Sequence, residues 1–228
     1  KAKSDALIVT KGSHGISILS KDKKIINISQ QTVNVYDVTG AGDTFIAFFS
    51  FLTSNKIDVI NSIKISSCAC VKIVQKKHTA ILNFKEFQEI ISKFCFENDI
   101  DLNLKVKLWK LANFKIGITN GCFDVIHSGH LHLFSNAKKL CDKLIVLINS
   151  DKSVKDLKGD MRPKIKLEKR IELIKLVTVI DDIIPFDEKT PINLIEKIIP
   201  NILFKGSDYK KKEVIGYDFI KRNGGVVK

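Results

Sequence analysis

Apolar and polar positions fall into two regimes along this chain. Over the first hundred residues, short alternating runs come first and helical spacing follows. Ala6-Leu-Ile-Val-Thr10 is a β-rich run closed by Lys11-Gly12, while Ile16-Ser-Ile-Leu19 and Ile25-Ile-Asn-Ile28 flank a polar stretch and predict a hairpin. Phe45, Phe48, Phe49 and Leu52 recur at three- and four-residue steps, predicting a helix opened by the glycine-rich Thr39-Gly-Ala-Gly42. Further helical patterns cover Val59 to Val74 and Phe84 to Phe96. Between Glu97 and Asn113 charged and apolar residues mix, and this stretch reads as a linker, helical around Leu104 to Leu111.

Beyond Phe114 the periods alternate. Lys115-Ile-Gly-Ile-Thr119 predicts a strand and His130 to Cys141 a helix. Lys143-Leu-Ile-Val-Leu-Ile148 is almost continuously apolar, as in a strand buried on both faces of a parallel sheet. A helix from Leu167 to Val177, a strand at Asp182 to Phe186, a helix from Pro191 to Ile199 and a strand at Ile202 to Phe204 follow. This alternation predicts an α/β fold with a Rossmann-like doubly wound parallel sheet, whose ligands sit outside the carboxyl ends of the strands.

Composition narrows the partners. The chain has 228 residues, enough for one large or two modest domains, and no apolar run nears the ~20 residues that span a bilayer. The start lacks the layout of a signal peptide, so a cytoplasmic protein without membrane partners is expected. The first residue is Lys1, not Met, so the chain is expected to be part of something longer. The net charge of +13 comes almost wholly from scattered lysines, because Arg162, Arg170 and Arg222 are the only arginines. Without a dense tract or interleaved aromatics, that charge reads first as solvated faces and biased residue usage, not as a nucleic-acid surface, and beyond that as a positive field that suits polyphosphate substrates. Five cysteines without CxxC spacing argue against a disulfide framework and against zinc.

The informative stretch is Asn120-Gly-Cys-Phe-Asp-Val-Ile-His-Ser-Gly-His130, between the first strand and first helix of the second segment. His127 and His130 stand three apart at the helix entry, and Gly129 leaves room for close approach of a ligand. Imidazole N–H groups, free backbone amides and the helix dipole converge there on one anion site. The competing readings are surface histidines or a metal pair. Zinc ligands on one helix face fall at i and i+4 with a third ligand elsewhere, which is absent here, so no metal site is expected. Cys122 reads as packing and not as a nucleophile.

These residues resemble a known family. Gly121-x-Phe-Asp124 followed by His127-x-Gly-His130 resembles the HxGH signature of the cytidylyltransferase-like nucleotidyltransferases. Lys158-Gly-Asp-Met-Arg162-Pro163 and Leu167-Glu-Lys-Arg170 resemble the basic second half of their site, and Lys205-Gly-Ser-Asp208-Tyr209 a further loop. The resemblance implies in-line attack of a substrate phosphate on the α-phosphorus of a nucleoside triphosphate, without a covalent enzyme intermediate. It assigns His127, His130 and Lys158 to catalysis and Gly121, Phe123, Gly129, Arg162 and Arg170 to the nucleotide. Asp124 and Asp208 fall to the acceptor, and ATP with Mg²⁺ to the reaction. The family closes its site with a Ser/Thr-rich turn at a helix start. This chain stops at Gly224-Gly-Val-Val-Lys228, so an incomplete phosphate cradle and weak turnover are expected.

Asp37-Val-Thr-Gly-Ala-Gly-Asp43 carries the first segment. Three amides, Gly40 to Gly42, at a helix start make an anion hole, and Asp43 stands where it could take a proton from an attacking hydroxyl. The string resembles the ribokinase-family signature, which implies Asp43 as catalytic base and Gly40, Ala41 and Gly42 as phosphate ligands. Thr10-Lys-Gly-x-x-Gly15 and Ser67-Cys-Ala-Cys-Val71 fit the same family, although His78 stands where these kinases carry glycine. The resemblance covers 1–96, the C-terminal part of such a kinase, so a partial ribokinase-like domain without activity of its own is expected. A linker at 97–113 and a nucleotidyltransferase at 114–228 complete the reading. This order resembles the bifunctional heptose-7-phosphate kinase/heptose-1-phosphate adenylyltransferases of lipopolysaccharide precursor synthesis. By that resemblance the reaction is ATP plus D-glycero-β-D-manno-heptose 1-phosphate to ADP-heptose and pyrophosphate, with a homodimer left open. Two alternatives stand beside it: a cytidylyltransferase for glycerol phosphate or a similar alcohol phosphate, and a non-catalytic nucleotide-binding remnant.

Overall fold

A computed structural model describes residues 6–20, 24–29, 33–77, 81–206 and 214–228. The chain divides into two compact units, Lys1–Ile100 and Asp101–Lys228. In the first, β1 (Ala6–Thr10), β2 (Ile16–Ser20) and β3 (Ile25–Ile28) form an antiparallel sheet in that order. Strand alternation decides its faces. Ile16 and Ile18 are buried with Phe45 of α1 (Ala41–Ser54) and Ile63 of α2 (Val59–Val74), while Leu7, Leu19 and Ile25 stay exposed on the other face. Asp58 caps α2 by accepting the Asn61 N–H at 2.9 Å, and Asn83 and Glu86 form a capping box at the start of α3 (Phe84–Glu97). The expected elements of this segment are all present, because each has its own apolar period.

The second unit is a five-stranded parallel sheet. Its strands are β4 (Ile116–Gly121), β5 (Lys143–Asn149), β6 (Asp182–Phe186), β7 (Ile202–Phe204) and β8 (Val226–Val227), in the spatial order β6-β5-β4-β7-β8. The chain builds outward from β4 to β6, then returns past β4 to add β7 and β8. That is a doubly wound sheet whose switch point lies between β4 and β7. Phe134 and Ala137 of α5 (Ser128–Lys138), Ile174 of α7 (Leu167–Lys175) and the strand residues Leu144, Val146, Ile148, Ile202 and Phe204 form one buried cluster. Gly117 lies beneath it. A Cβ there would stand 2.6 Å from the Phe204 ring and 2.7 Å from the Cys141 sulfur, so only glycine lets the chain close on the strand.

Several elements depart from expectation. The helix expected from His130 to Cys141 starts at Ser128 and ends at Lys138 in a turn, where Leu140 N–H bonds the Ala137 carbonyl at 3.0 Å. Residues 97–113, expected as a linker, contain α4 (Leu102–Leu111), capped by Asp101. Its Val106, Leu108 and Trp109 are buried, and Lys105 pairs with Asp182 of β6 at 2.8 Å, so α4 packs as part of the second unit. Three further elements were not anticipated: α6 (Asp151–Lys158), α9 (Tyr217–Arg222) and β8. In α6 only Ser153 and Val154 are buried, too few for an apolar period to register. The remaining helix, α8 (Ile192–Ile198), lies within the Pro191 to Ile199 pattern.

Candidate active site

The carboxyl ends of β4 and β7 open into a cleft of about 1010 Å³. Its first wall is the β4–α5 connection. Phe123, at φ 47°, turns the chain out of the sheet and is buried, its ring edge-on to His130 at 5.1 Å and tilted on Phe134 at 5.4 Å. Phe123 therefore supports His130 from below more than it faces a ligand. His127 caps α5 and its ring lies 3.9 Å from that of His130. The backbone N–H of His127 donates to Nδ1 of His130 at 3.4 Å, which leaves Nε2 of a neutral His130 as the proton-bearing atom. Burial, together with the neighbouring His127 and Lys158 charges, holds the His130 pKa below its ordinary value. Gly129 has a steric reason as well: a Cβ there would stand 3.0 Å from the His127 ring. At Gly121 a Cβ would approach the Phe123 ring at 3.2 Å.

The second wall comes from α6 and the loop after it. Lys158, the last residue of α6, and Arg162 both line the cleft. Arg162 is not a free cation. Its Nη1 donates to Asp124 Oδ2 at 2.6 Å, and the backbone N–H groups of Lys164 and Ile165 donate to Oδ1 at 2.5 and 3.2 Å. Burial pushes the Asp124 pKa up. The Arg162 hydrogen bond, the two amides and the Arg162 charge outweigh it, so the carboxyl titrates below its ordinary value. Asp124, read from resemblance as an acceptor ligand, spends both oxygens on the loop that carries Arg162.

Arg170 requires a correction. The resemblance placed it on the nucleotide, but it is fully buried and does not line the cleft. Its guanidinium donates to the carbonyls of Ile165 (2.9 Å), Cys122 (2.5 Å) and Asn149 (2.8 Å) and to Asp151 Oδ1 (2.6 Å). Asp151 also accepts the Leu167 N–H at 2.8 Å. One planar fork thus ties the ends of β4 and β5 to the start of α7.

On the far side, Lys205 follows β7 and donates from Nζ to the carbonyl and side-chain oxygens of Asn120, at 3.0 and 3.1 Å. Burial pulls its pKa down. Lys189, Pro191, Val214 and Ile215 complete that side, and the fully buried Thr119 Oγ1 has no partner among the described residues. The basic residue of Lys205-Gly-Ser-Asp208 was visible in sequence, but its place in the cleft was not. Asp208 lies outside the described residues.

Asp124 is the only carboxylate among the described lining residues, and it is already engaged. Mg²⁺ usually takes one or two carboxylates beside substrate phosphates, so these residues do not make a protein-held Mg²⁺ site. No cluster of three or more His, Cys, Asp or Glu occurs among the described residues. None of the described helices is long and apolar enough to cross a membrane.

In the first unit, Gly40 at φ 81° starts α1, and Asp37 accepts the Thr39 N–H at 2.8 Å. Asp43 is exposed in the first turn. Of the three amides read as an anion hole, that of Ala41 bonds the Val38 carbonyl at 3.2 Å.

Comparison with known proteins agrees with both halves. Residues 118–221 match the cytidylyltransferase-like family, and residues 1–85 match the pfkB family of carbohydrate kinases. The chain is 36% identical over 231 residues to the bifunctional protein HldE of Nitrobacter hamburgensis, covering 98% of this chain and 47% of that one. It is 35% identical over 229 residues to the protein of the same name from Hydrogenovibrio crunogenus, covering 98% and 48%. The chain thus spans about half the length of the curated relatives it matches. A solved structure, the lipopolysaccharide core biosynthesis protein from Thermoplasma volcanium, is 28% identical with a TM-score of 0.43, covering 50% of this chain and 94% of that one.

Proposed function

We propose, for a chain whose residues 118–221 match the cytidylyltransferase-like family and whose residues 1–85 match the pfkB family of carbohydrate kinases, that its second unit transfers AMP from ATP to a sugar 1-phosphate. The acceptor phosphate attacks the α-phosphorus in line, the new P–O bond forms, and the bond to the β-phosphate oxygen breaks to release pyrophosphate. A phosphomonoester has a second pKa of about 6, so at neutral pH it is already a dianion and needs no strong base. What the protein supplies is position and charge. His130 Nε2–H, the open amides of α5 and Lys158 would meet the charge that builds on the phosphoryl oxygens, and Arg162 would be held at the rim by Asp124.

The observation that carries this reading is the His127–His130 pair at the α5 start, its ring centroids 3.9 Å apart, lining with Lys158 one cleft at the switch point. Heptose 1-phosphate is the acceptor suggested by the resemblance of the domain order. The first unit is read as a kinase segment without turnover of its own. Pyrophosphate release should be measured with ATP or CTP against heptose 1-phosphate or glycerol phosphate. ATP with heptose 1-phosphate should support release. A preference for CTP and glycerol phosphate would overturn the adenylyl reading, and no release with any pair would leave a binding remnant.

A further inference from the structure

The floor of the cleft is made by strand ends, and alternation gives it two faces. Leu144, Val146 and Ile148 of β5 pack in the cluster with α5 and α7, so Asn149, the last residue of the strand, turns to the opposite face. Asn149 is 4% exposed and lines the cleft. A chain of hydrogen bonds orients its amide. Ser153 Oγ carries one proton and gives it to the Glu188 carbonyl at 2.8 Å. Toward Asn149 that oxygen can therefore only accept, and Nδ2 donates to it at 2.9 Å. Nδ2 is thus turned to α6, and Oδ1 is the atom left over. Oδ1 has no donor among the described residues, yet unlike the sealed Thr119 Oγ1 it opens to the cleft. Asn120, a second amide of the floor, already has its Oδ1 occupied by Lys205 at 3.1 Å.

We propose that Asn149 recognises the sugar of the acceptor, taking a hydrogen bond on Oδ1 from one of its hydroxyl groups. This rests on the adenylyl-transfer reading. A carbonyl oxygen needs a donor, which an ionised phosphate does not offer and a hydroxyl does. In that reading the triphosphate lies at the α5 start, on the other face of the sheet, so the group that reaches Asn149 is the polyol of the acceptor. The ribose of ATP is the other source of hydroxyl donors, and the test separates the two. The same atom discriminates between acceptors. One that covers Oδ1 without supplying a donor strips it of water and returns nothing.

The test is calorimetric and uses the whole chain. Mannose 1-phosphate, inorganic phosphate and ATP are titrated separately into wild type and Asn149→Leu, which keeps the branched shape and removes the amide. The variant should lose roughly five- to a hundredfold in affinity for mannose 1-phosphate, the range for a buried polar group left unpaired. It should bind inorganic phosphate and ATP within about threefold of wild type. Asn149→Ala, which cannot overpack, takes its place if Asn149→Leu fails to fold. A purely structural asparagine would weaken all three ligands together, and that result, or no change in any, would overturn the proposal. Loss confined to ATP would move the contact to the ribose and overturn it too, as would a wild type that does not bind mannose 1-phosphate. Monodeoxy forms of mannose 1-phosphate then identify the hydroxyl: one should bind wild type more weakly than the parent and bind the variant equally well. Equal affinities of wild type for the parent and every monodeoxy form would again overturn it. A wild type whose mannose 1-phosphate affinity depends on Asn149, but which releases no pyrophosphate from ATP with any sugar 1-phosphate, would refute the adenylyl-transfer reading and leave the Asn149 assignment standing.

Discussion

His130 is supported from three directions: Phe123 beneath its ring, His127 beside it, and the His127 amide on Nδ1. If its Nε2–H meets charge formed in the transition state, His130→Ala should lower turnover by roughly 10²–10³, the usual cost of one such donor, with little change in thermal midpoint. A turnover within a factor of a few of wild type would remove it from catalysis. The same residue should shape stability against pH. Its folded pKa lies below the ordinary value, so the unfolded chain takes up the proton first. The contribution is complete above about pH 6.5 and declines as pH falls through the depressed folded value. The stability difference between wild type and His130→Asn should therefore shrink on acidification between those limits. Chemical denaturation at several pH values reads this directly, and a difference independent of pH would contradict it.

At the scale of elements, one buried arginine joins three of them. Arg170 leaves α7 to satisfy a carbonyl just after β4 and one at the end of β5, together with Asp151 at the start of α6. Leaving a buried carbonyl without its partner costs about 1–3 kcal/mol, and Arg170 bonds three carbonyls, so Arg170→Met should lower the denaturant midpoint strongly. Arg170→Lys should recover little, because one ammonium cannot reproduce the planar fork. A mild effect of Arg170→Met on folding, with a large one on ATP affinity, would restore the phosphate role. Gly117 is a second junction. Gly117→Ala must move the Phe204 ring or Cys141, both packed against the strand, and overpacking of this kind costs about 1–3 kcal/mol. Thermal unfolding would show it, and an unchanged midpoint would mean that the sheet and α5 yield easily.

At the scale of the whole molecule, the two units differ in how well they close. The exposed sheet face of the first unit has Leu7 opposite Leu19 and Leu19 opposite Ile25, an apolar row across all three strands. Such a patch, beside an open strand edge, promotes association. Residues 1–100 alone should be poorly soluble, whereas 101–228 should fold. A fragment beginning at 113 loses the buried Leu108 and Trp109 of α4 and should melt at a lower temperature than 101–228. Equal melting of the two fragments would make α4 a mere connector. Sequence alone determined the αβ alternation, the parallel sheet and the histidine pair at the α5 start, because apolar periods and short signatures are local. It also contained Lys205, Asp124 and Arg170 as plain charged letters. Only the tertiary structure decided which of these face the cleft, which are spent on one another, and that α4 belongs to the second unit. A charge becomes a ligand or a strut according to what lies within about 3 Å of it, and those neighbours are here up to 85 residues away along the chain.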